Sequence, residues 1–394
     1  MDVKLTKIKI KNFKSYQTVD VELDNLNILI GPNDAGKSNF LDALNLISDF
    51  FKVGSIAFDK RGGFWDIISK YSEDRSLSFE LTGIIASTYQ FQYSLEFDSI
   101  KVLIYINRES FQVRSESDNW KKILDYNERG EKFLISEDKN DHLPIYPEGD
   151  GHRKISILRS CTTQISNPLA WKFIDFMNNI GVFNFRSQIL TLPCLLTEDL
   201  KLEDNGKNLP VVLQNFYNEY PEKFNQYVET IHNLYPQYEF LRLKLVPPTQ
   251  IYFYLEDKSE NKFPMWTLSD GLIKCLCILY LFYSPKPHSI ILFEEPEATI
   301  HPYLLNRLFD LILTISAKSQ IFIATHSPYF LNSSKVNDLI YVYKKGGLTR
   351  IRRINQSDIP KDLQQEFKPG ELYYSGFLDP EELNKKDYEE FPPE

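Results

Sequence analysis

Gly31-Pro32-Asn33-Asp34-Ala35-Gly36-Lys37-Ser38 spaces two glycines, a lysine and a serine as phosphate binding requires. Glycine lets the backbone turn tightly and aim its N–H groups at phosphate oxygens, Lys37 reaches the outer phosphates, and Ser38 offers a hydroxyl to Mg²⁺. With Pro32, Asn33, Asp34, Ala35 and the following Asn39, these residues form the expected nucleotide-binding set. Much later, Glu294-Glu295-Pro296-Glu297 follows the apolar run Ser289 to Phe293. Two carboxylates at a strand end are where a magnesium-assisted hydrolase needs them: Glu294 to hold Mg²⁺ directly or through water, Glu295 to polarise an attacking water. A second run, Ile321 to Thr325, ends in His326-Ser327-Pro328, and the imidazole could bond a γ-phosphate or the attacking water. Thr267-Leu268-Ser269-Asp270-Gly271 precedes the apolar run Leu272 to Phe282. Small polar residues with glycine at a helix start make a second anion site, although an ordinary helix cap accounts for the same residues. Because the chain already carries one phosphate loop, Ser269 and Gly271 suggest a phosphate held by another subunit.

Positioning these groups takes strands that end at them and helices that leave them. Residues 3–10 alternate as a strand, residues 18–23 alternate again, and Leu26 to Ile30 form a continuous buried strand leading into the loop. The residues from Asn39 to Phe51 read as the helix whose positive end faces the same anion. Ser76 to Ile85, Gln90 to Phe97 and Val102 to Asn107 add strand-like runs, and helical patterns fall at Leu169 to Ile180, Val211 to Tyr217 and Pro221 to Leu234. Between Phe111 and Arg153 the chain turns polar, with Gly149, Asp150 and Gly151 as breakers, and reads as an insertion or partly mobile lid. No sustained heptad pattern occurs between the loop and residue 266, so long coiled-coil arms are not expected. The expected organisation is an α/β head split into residues 1–110 and 266–353, an inserted compact α-rich lobe at 111–265, and an acidic tail at 354–394.

Composition narrows the class. The 394 residues are 42% apolar and 14% aromatic, ample for sizeable cores. No run of about eighteen apolar residues exists and the N-terminus lacks a signal-peptide core, so a soluble, cytoplasmic protein is expected with no membrane partner. Cys161, Cys194, Cys275 and Cys277 show no metal-ligand spacing. A formal charge of −9 excludes a generally basic surface, so any nucleic-acid contact must use a local patch. Lys344, Lys345, Arg350, Arg352 and Arg353, around Gly346-Gly347, are one candidate, with a charge-protected hairpin edge as the alternative. Aromatics in Gly370 to Phe377 could dock a partner or pack back on the head.

The order of these motifs resembles the ABC-type ATPases of the RecF, SMC and OLD branch. It is carried by the loop with Asn33, then Leu268-Ser269-Asp270-Gly271, then Glu294 to Pro302, then Thr325-His326-Ser327-Pro328; Ile10 to Tyr16 resembles that branch too. Softer likenesses at Arg61-Gly62-Gly63-Phe64, Asn205 to Leu209 and the Gln90 to Phe97 strand resemble stand-alone RecF-like bacterial ATPases, which often occur in repair or antiphage defence modules. The resemblance implies a homodimer, possibly a higher oligomer, with ATP sandwiched between the loop of one head and the Ser269 segment of the other. It implies Ser38 and Glu294 as the magnesium shell, Glu295 as general base and His326 as γ-phosphate sensor. No glutamine occurs between Gln17 and Gln90, so the magnesium-contacting glutamine usual after the loop helix has no counterpart. No Toprim nuclease domain fits after residue 354, so a nuclease or toxin effector is expected as a separate polypeptide. A regulatory ATP-binding scaffold with little hydrolysis is the alternative function, and a transporter ATPase subunit a more distant one.

Overall fold

Period-two alternation of apolar residues builds the longest sheet of the protein. The computed structural model describes residues 1–72, 76–100, 103–115, 118–127, 133–135, 142–144, 155–160, 167–185 and 192–380. It divides into two compact units: the first holds Met1–Ile180, Lys335–Phe367 and the chain from Leu372, the second Gly181–Ser334 and Lys368–Glu371.

In the first unit β1 (Val3–Phe13) turns back as β2 (Tyr16–Glu22), and β3 (Leu26–Ile30) runs into the phosphate loop. β1 also pairs with β4 (Leu77–Ile85), and the sheet continues through β5 (Tyr89–Ile100), β6 (Leu103–Arg114), β7 (Lys121–Asn127), β8 (Phe133–Ile135) and β9 (His142–Pro144). Every pairing is antiparallel, in the order β2-β1-β4-β5-β6-β7-β8-β9. Leu77, Phe79 and Leu81 are buried and the residues between them half-buried, as a sheet with one covered face requires. The loop helix Lys37–Val53 and the helix Pro168–Asn178 belong to the same unit. Phe173 packs on Phe51, Phe91, Tyr93 and Phe111, ring centroids 4.9 to 6.0 Å away. Each ring so buried contributes about 2 kcal/mol.

β6 and β7 occupy part of the stretch whose composition reads as a lid. Their wet face supplies the polar residues, while Phe111, Val113, Leu124 and Tyr126 fill the buried face. The boundary expected at residue 110 therefore falls inside β6. Residues 116–117, 128–132, 136–141 and 145–153 of that expected lid lie outside the described residues.

β3, buried at every position, pairs in parallel with β17 (Leu339–Lys345), which turns through Gly346-Gly347 into the antiparallel β18 (Leu348–Arg353). Of the late basic cluster, Arg353 donates to the Glu22 and Asn337 carbonyls and to Asn27, and Arg352 pairs with Asp358 at 3.2 Å. Those two arginines stitch the hairpin in place. The tail packs back as well: Leu372 and Leu378 are buried and Phe367 meets Phe377. Its acidic end, residues 386–394, lies outside the described residues.

In the second unit β15 (Ile290–Glu294) and β16 (Gln320–Ala324) pair in parallel, with β10 (Ile180–Phe183) beside β15. The helix Asp270–Tyr283 is buried nearly all round, which explains its apolar run. Helices Leu209–Glu219 and Pro221–Leu234 pack near it through Phe216, Phe224, Tyr227 and Tyr280. A small antiparallel sheet comprises β11 (Cys194–Leu195), β12 (Phe240–Val246), β13 (Gln250–Glu256) and β14 (Lys262–Pro264). The longest described helix, Lys37–Val53, has 17 residues, and no described helix is long and apolar enough to cross a membrane.

Candidate nucleotide site

The predicted residues fall into two sets, one in each unit. In the first unit, Gly31 takes a φ of 136°, and a Cβ there would come within 1.9 Å of the Val342 carbonyl oxygen, so this turn demands glycine. Pro32, Asn33, Asp34 and Ser38 are exposed, while Ala35 and Lys37 are buried. The Lys37 ammonium donates to the carbonyls of Gly31 at 2.9 Å and Pro32 at 2.8 Å, folded over its own loop. Neighbouring elements hold the loop's carbonyls: Tyr16 donates to Gly36, Thr349 to Ala35, and Tyr373 of the tail to Gly31, each at 3.0 Å. The Asn39 amide donates to Ser15 Oγ at 2.9 Å, which ties the helix start to the β1–β2 turn.

Gly36 caps the loop helix without a side-chain bond, and no acidic residue lies in the first turn. The loop therefore lies at the positive end of a 17-residue helix, a place that fits a bound phosphate chain. The exposed Ser38 hydroxyl beside the loop is an oxygen of the kind Mg²⁺ takes, one or two from protein with the rest from phosphate and water. No cluster of three or more metal-ligating side chains occurs among the described residues, so nothing there suits a dedicated all-protein cage.

In the second unit the parallel register sets Glu294 beside Ala324, and the Glu295 N–H donates to the Ala324 carbonyl at 2.9 Å. Glu294, Glu295 and His326 thus stand at the carboxyl ends of adjacent parallel strands. Glu294 is half-buried, its Oε2 accepting from the Asn184 amide at 2.8 Å, while Glu295 is exposed with a left-handed φ of 43°. Lys274 braces that backbone: its buried ammonium donates to the carbonyls of Glu295 at 3.1 Å and Ala298 at 3.0 Å. Burial holds the Lys274 amine below its usual range, opposed by Glu297 and Glu295. Glu297, itself buried, accepts the Thr325 hydroxyl, and Thr325 Oγ1 in turn accepts the Ser327 N–H at 3.0 Å. Around the helix Asp270–Tyr283, Ser269 is an exposed N-cap accepting from Leu272, and a Cβ on Gly271 would come within 2.4 Å of the Thr299 carbonyl oxygen. The cap expected from sequence is therefore present, and the helix start abuts the segment after the carboxylates.

Residues 26–332 match the family described as "AAA domain, putative AbiEii toxin, Type IV TA system". The chain belongs to this family. It lies on the ABC-type ATPase branch that includes the OLD nucleases, as its motif order implied. It is 25% identical over 358 residues to Endonuclease GajA of Bacillus cereus (strain VD045), covering 86% of this chain and 58% of that protein. It is 22% identical over 363 residues to the OLD nuclease of Thermus scotoductus (strain ATCC 700910 / SA-01), with 86% and 62% covered, and 24% over 383 residues to the Old nuclease of Escherichia phage P2, with 90% and 61%. This AAA domain chain thus spans about three fifths of the length of those relatives. Its fold is that of an SMC head: a crystal structure of the SmcHead bound to the C-winged helix domain of ScpA superposes with a TM-score of 0.56 at 15% identity, over 92% of this chain and 99% of that one.

Several residues that hold this AAA domain's motifs were not found from sequence. Asn184, Lys274, Thr349 and Tyr373 touch Glu294, the Glu295 backbone and the loop through folding alone. Lys274 left a signal as a cation inside an otherwise apolar helix, and Tyr373 lay among the tail aromatics that could pack back on the head.

Proposed function

We propose that the chain binds and hydrolyses ATP as an ABC-type head, that two heads dimerise around the nucleotide, and that this cycle couples nucleic-acid sensing or a partner effector to antiphage defence or DNA repair. The observation that carries the reading is the bracing of Glu295: an exposed carboxylate at a strand end, its backbone held left-handed by the buried Lys274. Such bracing orients a base without occupying its carboxylate. In this reading the backbone N–H groups of the loop from Asn33 to Ser38 bind the phosphates and Lys37 swings from its own carbonyls to the outer phosphates. Ser38 and Glu294 hold Mg²⁺, Glu294 aimed by Asn184. When bound, Mg²⁺ neutralises charge on the phosphate oxygens. Glu295 accepts a proton from the attacking water, and His326 orients the γ-phosphate. Ser269 and Gly271 complete the site of the opposing copy. The printed names of the relatives, an endonuclease and two OLD nucleases, support the nucleic-acid and effector arm.

Glu295→Gln keeps the shape and removes the base. Turnover should fall at least about a hundredfold while ATP affinity holds and an ATP-bound dimer accumulates. Single-turnover hydrolysis and size-exclusion chromatography with ATP read the two effects; undiminished turnover sinks the assignment.

A further inference from the structure

In the small sheet of the second unit, one face of β13 carries Ile251, Phe253 and Leu255, all buried; the other carries Tyr252, Tyr254 and Glu256, all half-buried. The register sets Lys244 opposite Tyr252, Arg242 opposite Tyr254 and Phe240 opposite Glu256 on one side, and Lys262 opposite Glu256 on the other. Trp266, 49% exposed, lies 5.0 Å from the Tyr252 ring, and Tyr252 lies 6.4 Å from Tyr254. The Arg242 guanidinium sits 4.5 Å from the exposed Phe240 ring and the Lys262 ammonium 5.7 Å from the Tyr254 ring. This outward face is therefore aromatic and cationic on a chain whose formal charge is −9. Glu256, largely covered and paired with Arg242 at 3.4 Å, is the acidic group on it; Asp257, at the turn beyond, is bonded by Ser259 and Asn261.

A wet sheet face ordinarily carries polar side chains, and a row of half-covered rings flanked by the exposed Phe240 and Trp266 marks a contact surface. Rings offer π-faces to unpaired bases while Arg242, Lys244 and Lys262 attract phosphates. A duplex buries the base faces such rings would stack on, so it suits this sheet poorly.

We propose that this face binds single-stranded nucleic acid, with Tyr252, Tyr254 and Trp266 stacking on bases and the three cations on the backbone. The 3₁₀ turn Met265–Thr267 carries Trp266 directly into Leu268 and the Ser269 cap, so the same short segment joins the proposed strand site to the proposed ATP contact. The proposal gives a location to the nucleic-acid arm of the reading above, and it is tested without nucleotide so that the two can fail separately.

The test is fluorescence anisotropy of the full chain with labelled oligothymidylate, oligouridylate and a mixed-sequence DNA duplex over a range of salt. Both single strands, or one of them, should bind at least about tenfold more tightly than the duplex. Arg242→Ser, Lys244→Ser and Lys262→Ser together should flatten the slope of log affinity against log salt by about 2, some 0.7 per phosphate contact. Tyr252→Ala should weaken binding about tenfold and Tyr252→Phe should restore it. Affinity for a fluorescent ATP analogue should be unchanged in every variant. No single-strand binding by the wild type, or binding that the triple variant leaves intact, overturns the proposal. So does a triple variant that alters sedimentation of the chain but not oligonucleotide affinity, which marks the face as a contact between copies.

Discussion

Glu297 shows how a residue can read as one carboxylate in an acidic run and act as a buried strut. Its Oε1 accepts the Thr325 hydroxyl, while Oε2 is buried without a hydrogen-bond partner. Burial raises its carboxyl above the ordinary value of 4.5, and the Thr325 bond and Lys274 only partly oppose this. A carboxyl raised in the folded state contributes stability that is full below about pH 4.5 and is lost as pH rises through the raised value. Glu297→Gln keeps the acceptor and cannot ionise, so wild-type Tm relative to Glu297→Gln should be highest at acid pH and fall on the way to neutrality. Parallel Tm curves for the two proteins would refute it. Glu294 and Glu295 were legible from sequence because they end an apolar run. The distinct duty of Glu297 was not, because it depends on Thr325 being brought alongside by the parallel strand pair.

At the scale of elements, the C-terminal end of the loop helix is anchored by segments far away in sequence. Arg159 donates to the carbonyls of Phe51 and Lys52, Lys52 to that of Ile180, and Ser48 to that of Met177. The Arg159 bonds occupy carbonyls that the last helical turn leaves open. The segment bearing Arg159 is itself held by Glu109 on β6, fully buried, which accepts from Tyr93 Oη at 2.8 Å, Ser156 Oγ at 2.7 Å and the Ile157 N–H at 2.5 Å. Burial pushes the Glu109 carboxyl up, while these donors pull it down. Glu109→Ala would strand several buried donors and loosen the grip on the helix end, costing about 3 kcal/mol or more in urea unfolding. A loss within about 0.5 kcal/mol, the scatter of ordinary surface changes, would show that Arg159 stays in place without it. Nothing in the polar residues around Glu109 marked this staple. The period-two pattern of a half-wet strand hid it.

For the whole molecule, the proposed dimer is the largest claim and rests on Ser269 and Gly271. Ser269 is exposed at its helix start, so an arginine there fits its own fold and crowds an opposing copy. Ser269→Arg should keep ATP affinity, abolish ATP-dependent dimerisation and cut turnover at least about tenfold, read by sedimentation and phosphate release. Unchanged dimerisation and turnover together would end the sandwich reading. By itself the sequence determined where the contiguous motifs stand, the phosphate loop, the paired carboxylates and the histidine turn, because each needs only a strand before it or a helix after it. It also anticipated that no long coiled-coil arm occurs among the described residues, since heptads are local. Tertiary structure alone decided that residues 108–114 and 121–127 extend the long sheet, that Tyr373 of the tail bonds the first loop glycine, and that Lys274 and Asn184 steady the carboxylates. Those contacts join residues 21 to 342 positions apart, and only folding brings such partners within hydrogen-bond reach.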